Sequence, residues 1–237
     1  MAAAITPRFI VDKLREPERL KALITSLTAR NDEYAPVAAV ANMMMSSSAT
    51  NDYLEKIGAE AIGGVHSNVK LGPDGYLGTD GIEVKPKKQK IGESVGGVIN
   101  DDTPMKLVKD TRDIKWIVFL NAEKDSSRIN YAVVAPFRYW NASRFDQIVR
   151  RLGLMTATNT VAAAETWPWG TTIPNCPVQR ERCFNDLVSR HQERVYVRSS
   201  PLSLDVLLAV PPEERNLWVH PDVPHNVLPR AIRSILT

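Results

Sequence analysis

Glu83 and Lys85 stand two residues apart in the run Asp80-Gly81-Ile82-Glu83-Val84-Lys85, and the triplet Pro73-Asp74-Gly75 precedes it. In a strand, alternate residues share a face. Ile82 and Val84 are then directed to a core, and Glu83 and Lys85 to the opposite side. A carboxylate and an ammonium side by side above apolar neighbours form a rigid polar platform. A second carboxylate from the preceding hairpin arm, together with the backbone carbonyl of Val84, would make the platform an oxygen-rich site. Such a site suits Mg²⁺, a hard cation that prefers oxygen. Asp74 lies nine residues before Glu83, which fits the opposite arm of a hairpin turning near Leu77–Thr79. Asp80 lies only three before it and faces the other way in a regular strand, unless a bulge at Gly81 turns it round. Asp74 is therefore the preferred partner of Glu83, with Asp80 as its rival.

The joint pattern of Pro73-Asp74, a short gap, hairpin glycines and Glu83-Val84-Lys85 resembles the PD-(D/E)xK nuclease superfamily, which includes most type II restriction endonucleases. The resemblance covers roughly residues 50–140. It implies an α/β (α+β) fold, an αβββαβ core with a mixed central sheet flanked by helices. It implies Mg²⁺-dependent hydrolysis of phosphodiester bonds in double-stranded DNA at a specific sequence, leaving 5′-phosphate and 3′-hydroxyl ends. Asp74 (or Asp80), Glu83 and the Val84 carbonyl would hold the metal, and Lys85 would stabilise charge on the attacking water and the pentacovalent transition state. A further acid on the preceding helix is common in the family; Glu55 and Glu60 are the candidates, against the plainer reading of both as helix-surface carboxylates. A restriction enzyme further implies a cognate DNA methyltransferase in the host.

An acid-x-Lys triplet alone carries no weight, because a chain of this length contains one or two by chance. A second, Asp113-Ile114-Lys115, has no Pro-Asp before it and no glycine-rich hairpin. Two other readings stand beside the restriction enzyme: a nicking or junction-resolving repair nuclease of the same fold, and a non-catalytic DNA-binding or interaction module. In the last case Pro73-Asp74-Gly75 is only a type I turn, and Glu83 and Lys85 are the solvated face of an edge strand.

Helices must frame this hairpin. Residues 7–30 read as helical with a break or kink at Pro17, Ala35–Met45 as a second helix, and Thr50 or Asn51 to Ile57 as a third that closes at Gly58. Lys115–Ala122 (KWIVFLNA) and Ile129–Tyr139 read as buried strands joined by a hairpin loop at Glu123–Arg128. Ser143 reads as the cap of a helix through Leu152. Val178–Gln192 reads as a helix, Arg194–Arg198 as a strand and Pro229–Leu236 as a short helix. The chain divides into a helical part (1–48), a catalytic core (49–152) and a recognition and dimerisation part (153–237) of one nuclease domain.

The 237 residues, 43% hydrophobic and 24% charged, are those of an ordinary globular chain, which excludes disorder and collagen-like repeats. The longest apolar stretch, Val37–Met45, is far short of the roughly 20 residues of a membrane span. The formal charge of +3 neither demands nor excludes a polyanion, so local clusters matter. Lys87, Lys88 and Lys90, with Arg180 and Arg182, are candidate DNA-backbone contacts; Arg144, Arg150 and Arg151 are weaker ones. Cys176 and Cys183 lack zinc spacing and read as reduced thiols of a cytosolic protein. The N-terminus has charges throughout and does not read as a secretory signal. Trp167 and Trp169 sit in a Pro-rich loop. His220 and His225 flank a Pro-Asp-Val-Pro turn with no third ligand nearby, and read as a rigid surface loop. One cleaving centre per chain predicts a homodimer on a palindromic or near-palindromic site, against the plainer alternative of a monomer that nicks each strand in turn.

Overall fold

Leu54, Ile57 and Ala61 recur at helical spacing and are buried, so helix α4 (Thr50–Ala61) lays one stripe on the core. The computed structural model describes residues 5–30, 34–46, 50–69, 72–89, 91, 97–102, 104–151, 195–199 and 202–237. Helices α1 (Val11–Leu14), α2 (Glu16–Arg30) and α3 (Ala35–Ser46) precede α4. Pro17 falls in the first turn of α2, where its missing N–H costs nothing, and the break comes at Arg15.

Gly58 does not end α4 as its type suggests. A Cβ there would lie 2.5 Å from Val84 Cγ1 and 3.2 Å from Leu120 Cδ1, so the glycine marks a close approach of helix to sheet. The helix ends three residues later. Gly63, at φ +82°, donates its N–H to the Glu60 carbonyl, and Gly64 donates to Ala59. This is the Schellman arrangement, with its left-handed residue supplied by glycine. Gly58→Ala is expected to lower stability by about 1–3 kcal/mol in urea unfolding, because overpacking outweighs the better helix propensity of alanine. An unchanged midpoint would show that helix and sheet have room to part.

A six-stranded mixed sheet follows, in the order β1-β2-β3-β5-β6-β8. Its strands are β1 (Val65–His66), β2 (Gly75–Leu77), β3 (Asp80–Lys88), β5 (Ile114–Ala122), β6 (Ile129–Pro136) and β8 (Asn216–Val219). β1, β2 and β3 form an antiparallel meander. The N–H of Gln89 reaches the carbonyl of Ala122, joining the C-terminal ends of β3 and β5, so these neighbours run parallel. The β5–β6 hairpin closes through Glu123 N–H to Arg128 C=O. Alternation makes the core: Ile82 and Val84 of β3, Val118 and Leu120 of β5, and Ala132 and Val134 of β6 are buried with Leu54 and Ile57. Each fully buried aliphatic of this set contributes roughly 1.5–3 kcal/mol.

The chain forms two compact units. The sheet, α1–α4 and the C-terminal helix α8 (Arg230–Leu236) belong to the first. The second holds the antiparallel pair β4 (Gly97–Asp102) and β7 (Val195–Ser199) with helices α5 (Pro104–Asp113), α6 (Phe137–Arg151) and α7 (Leu202–Leu208). Here α6 starts at Phe137, directly after β6, rather than at a Ser143 cap. Arg144 within it is buried, 2.9 Å from Asp110, and also bonds Asn141, so it holds α6 to α5 and does not offer its charge at the surface. Among the described residues no helix is long and apolar enough to cross a membrane.

Candidate active site

The β2–β3 register pairs Gly75 with Ile82, Tyr76 with Gly81 and Leu77 with Asp80, without interruption. Only Gly78 and Thr79 remain for the turn. Gly78 takes φ +62°, the left-handed value that the first position of a tight hairpin turn needs. Asp74 immediately precedes β2, so the same register carried one residue further would set it opposite Glu83, and directly opposed side chains in an antiparallel pair approach within about 5 Å. The regular register has no bulge at Gly81. Asp80 therefore shares parity with Ile82 and Val84, facing away from Glu83, and the rival assignment loses its geometric basis.

Asp74 Oδ2 accepts the backbone N–H of Val84, the residue between Glu83 and Lys85, at 2.7 Å. The Lys85 ammonium and Glu83 carboxylate form an ion pair with side chains 27% and 18% exposed, so the platform is shielded but open on one side. Pro73, the residue before Asp74, is buried.

Burial drives the Asp74 carboxyl up to about 7, and the negative charges of Glu83 and Glu55 add to this. Lys85 and the Val84 N–H pull the other way without prevailing. Glu55 is also raised, chiefly by burial; Lys85 opposes this, while Asp52 and Glu83 reinforce it. Glu55 on α4 thus belongs to the same charge cluster. Glu60 does not share this arrangement: its carboxylate accepts from Lys13 Nζ at 2.7 Å and lies 3.8 Å from Lys56. One helix supplies both candidates, and their five-residue spacing puts them on different faces.

Lys87 continues the row Glu83, Lys85, Lys87 along one face of β3. Burial, followed by repulsion from Lys85, lowers its pKa, and burial alone lowers that of Lys88. Lys90, Arg180 and Arg182 lie outside the described residues, as do Trp167, Trp169, both cysteines and the 178–192 segment. The second triplet straddles the end of α5 and the start of β5, where Asp113 is 2.7 Å from Arg112. Among the described residues, the charges that act on Asp113 are the cations Arg112, Lys109 and Lys115, not other carboxylates.

His220 corrects an expectation. It is 1% exposed rather than on a surface loop, and Glu18 stands 3.2 Å from its Nε2. The Asp222 backbone N–H donates to Nδ1, so that nitrogen is an acceptor and Nε2 carries the proton offered to Glu18. Both ring nitrogens are therefore occupied: Nδ1 holds the turn at Asp222, and Nε2 fastens the C-terminal segment to α2. The third group, Glu18, is 202 positions away, and no local spacing could reveal it.

The site thus consists of three carboxylates, from α4, the β2 approach and β3, with one lysine, on the open side of a hairpin whose other side is core. The donors are oxygen-only, the kind a hard divalent cation takes, and burial first, with the neighbouring carboxylates after it, raises Asp74 to about 7. Among the described residues, the acid and histidine side chains whose ligand atoms close to within 4.8 Å of one another are Glu18, His220 and Asp222. Comparison with protein-family models, with curated proteins and with solved structures finds no match for the chain.

Proposed function

We propose that the chain is a Mg²⁺-dependent endonuclease of the PD-(D/E)xK kind that hydrolyses phosphodiester bonds in duplex DNA at a specific sequence, as a type II restriction enzyme does. The observation that carries this reading is the convergence of Asp74, Glu83 and Lys85 on one hairpin, with Asp74 bonded to the backbone between the other two. The element order α4-β1-β2-β3-β4-α5-β5, with β1, β2, β3 and β5 in one sheet and β3 and β5 parallel neighbours, supports it as an αβββαβ core into which β4, a strand of the other sheet, is inserted.

Asp74, Glu83 and the Val84 carbonyl would hold the Mg²⁺ ion, with Glu55 as a further acid on the helix side. When bound, the ion supplies Lewis-acid stabilisation of charge on the phosphate and eases deprotonation of water. The protein's own residues do the rest. Lys85, held by Glu83, stands where it can stabilise the charge that develops on the attacking oxygen and the pentacovalent phosphorus centre. The buried hairpin fixes all three groups before substrate arrives, so little reorganisation is left for the transition state. Lys87, next in the row, is placed for a flanking phosphate.

Incubation of plasmid DNA with the protein in Mg²⁺ and in EDTA tests the proposal. Discrete fragments in Mg²⁺ alone support a site-specific endonuclease. Nicking alone, or cutting only at branched DNA, favours a repair or recombination enzyme of the same fold. Intact plasmid under all conditions overturns the catalytic reading.

The lysine row has its own test. Replacing Lys87 or Lys88 with Gln is expected to lower the slope of log affinity against log salt by about 1 if that residue neutralises a phosphate. An unchanged slope returns that residue to solvent.

A further inference from the structure

We propose that the outer face of the α2–α3 helical hairpin is a self-association surface, and that its occupant is the same face of a second copy of this chain. The hairpin's own contact is small: Ile24 of α2 packs on Ala38 and Met45 of α3, with Ala41 beside them. Around α2 from Ile24, the apolar stripe continues outward through Leu20, Leu27 and Leu23, which are 36%, 38% and 55% exposed. Around α3 from Ala41 it continues through Val37, Val40, Met43 and Met44, each more than half exposed. The two helices run antiparallel, since Lys21 near the start of α2 bonds Asn42 near the end of α3 at 2.6 Å. In an antiparallel pair both stripes turn from the shared contact toward the same side of the hairpin. The result is one continuous apolar face.

Its chemistry selects the occupant. Helix α3, APVAAVANMMMS, has no charged residue, so a charged partner groove gains nothing from it. It also has no lysine or arginine to meet an anionic lipid surface, as interfacial helices do. Two cations of α2 are engaged in ion pairs: Arg19 bonds Asp12 at 2.6 Å, and Lys21 lies 3.7 Å from Asp125. An uncharged apolar centre with a charged margin is self-complementary across a two-fold axis. The exposed apolar area of these seven side chains is on the order of 700 Å², near the roughly 800 Å² per partner of a stable interface and above what a monomer usually leaves bare.

The inference locates the homodimer that the nuclease reading of the sequence predicts, and it uses no residue of the candidate active site. Its test reads mass, while the plasmid assay reads cleavage, so either can fail alone. In sedimentation velocity at about 10 μM the full-length protein is expected to run at twice the chain mass. Leu23→Glu and Val40→Glu, one on each helix, are each expected to weaken the dimer by about 100-fold or more, with the far-ultraviolet helical signal retained. Should either glutamate variant lose helix, Leu23→Gln and Val40→Gln are expected to weaken it by about tenfold. A wild-type protein that stays monomeric up to about 100 μM overturns the proposal, whether the face is then covered by another part of the chain, a different protein or a lipid vesicle. A dimer that folded variants of both helices leave intact overturns it too.

Discussion

Glu83→Ala and Lys85→Ala are each expected to lower Mg²⁺-dependent cleavage of plasmid DNA by about 10³-fold or more, with duplex binding in Ca²⁺ within about threefold of wild type. The expectation rests on where the side chains lie. Both project from the polar side of β3, while Ile82 and Val84 on the other side are fully buried and hold the strand in place. Truncating either residue leaves the core intact and removes a group that the proposed function assigns to the reacting phosphate. The two variants differ in cause. Without Glu83 the oxygen set loses a carboxylate, so higher Mg²⁺ should recover part of the rate. Without Lys85 the carboxylates remain, and added Mg²⁺ should recover none. Asp74→Ala is expected to behave like Glu83→Ala. Asp80→Ala is expected to retain most activity, because its parity turns it from the cluster. Wild-type cutting by the Glu83 or Lys85 variant would refute the site, and inactivity of Asp80→Ala with activity of Asp74→Ala would reverse the choice of aspartate.

Much of that geometry was legible because β-structure has a period of two. The alternation Ile82-Glu83-Val84-Lys85 announces its own faces, and Gly78 announces the turn. The strands read at Lys115–Ala122 and Ile129–Tyr139 were legible from composition, since strands buried on both faces need apolar residues in nearly every position, although the second ends at Pro136, where α6 takes over. The misreadings share one cause: a residue type was read by its local preference where a distant surface decided. Gly58 looked like a helix terminator, yet its lack of a side chain answers to Val84 and Leu120. Ser143 looked like a cap, yet β6 passes into α6 without a loop. Helix α5 was hidden by its charge-rich sequence PMKLVKDTRD, and β8 by its four-residue length between prolines. Choosing Glu55 over Glu60 needed the docking angle of α4, and pairing His220 with Glu18 needed the whole chain.

The carboxylate cluster should also cost the metal-free protein stability, in a way that pH exposes. The Asp74 carboxyl is raised from its ordinary 3.8 to about 7, by burial first and by Glu83 and Glu55 after it. A group whose folded pKa lies above its unfolded pKa carries no penalty below the unfolded value. As pH rises from about 4 to 7 the unfolded chain ionises while the folded one resists, and stability falls across that window. A shift of about three units corresponds to roughly 4 kcal/mol, and partial solvent access reduces this to roughly 2–4. Asp74→Asn keeps an oxygen for the Val84 N–H and cannot ionise. In EDTA it is expected to match wild type near pH 4 and to exceed it by roughly 2–4 kcal/mol at pH 8, while losing cleavage. Mg²⁺ should stabilise wild type at pH 8 more than at pH 5 and leave Asp74→Asn little changed, because the ion competes with a proton for the same carboxylate. Denaturant melts of the two proteins at each pH, with and without Mg²⁺, measure all of this. Parallel stability curves in EDTA would mean that Asp74 is ionised without penalty, and the crowding of Asp74, Glu83 and Glu55 would then no longer support a cation site.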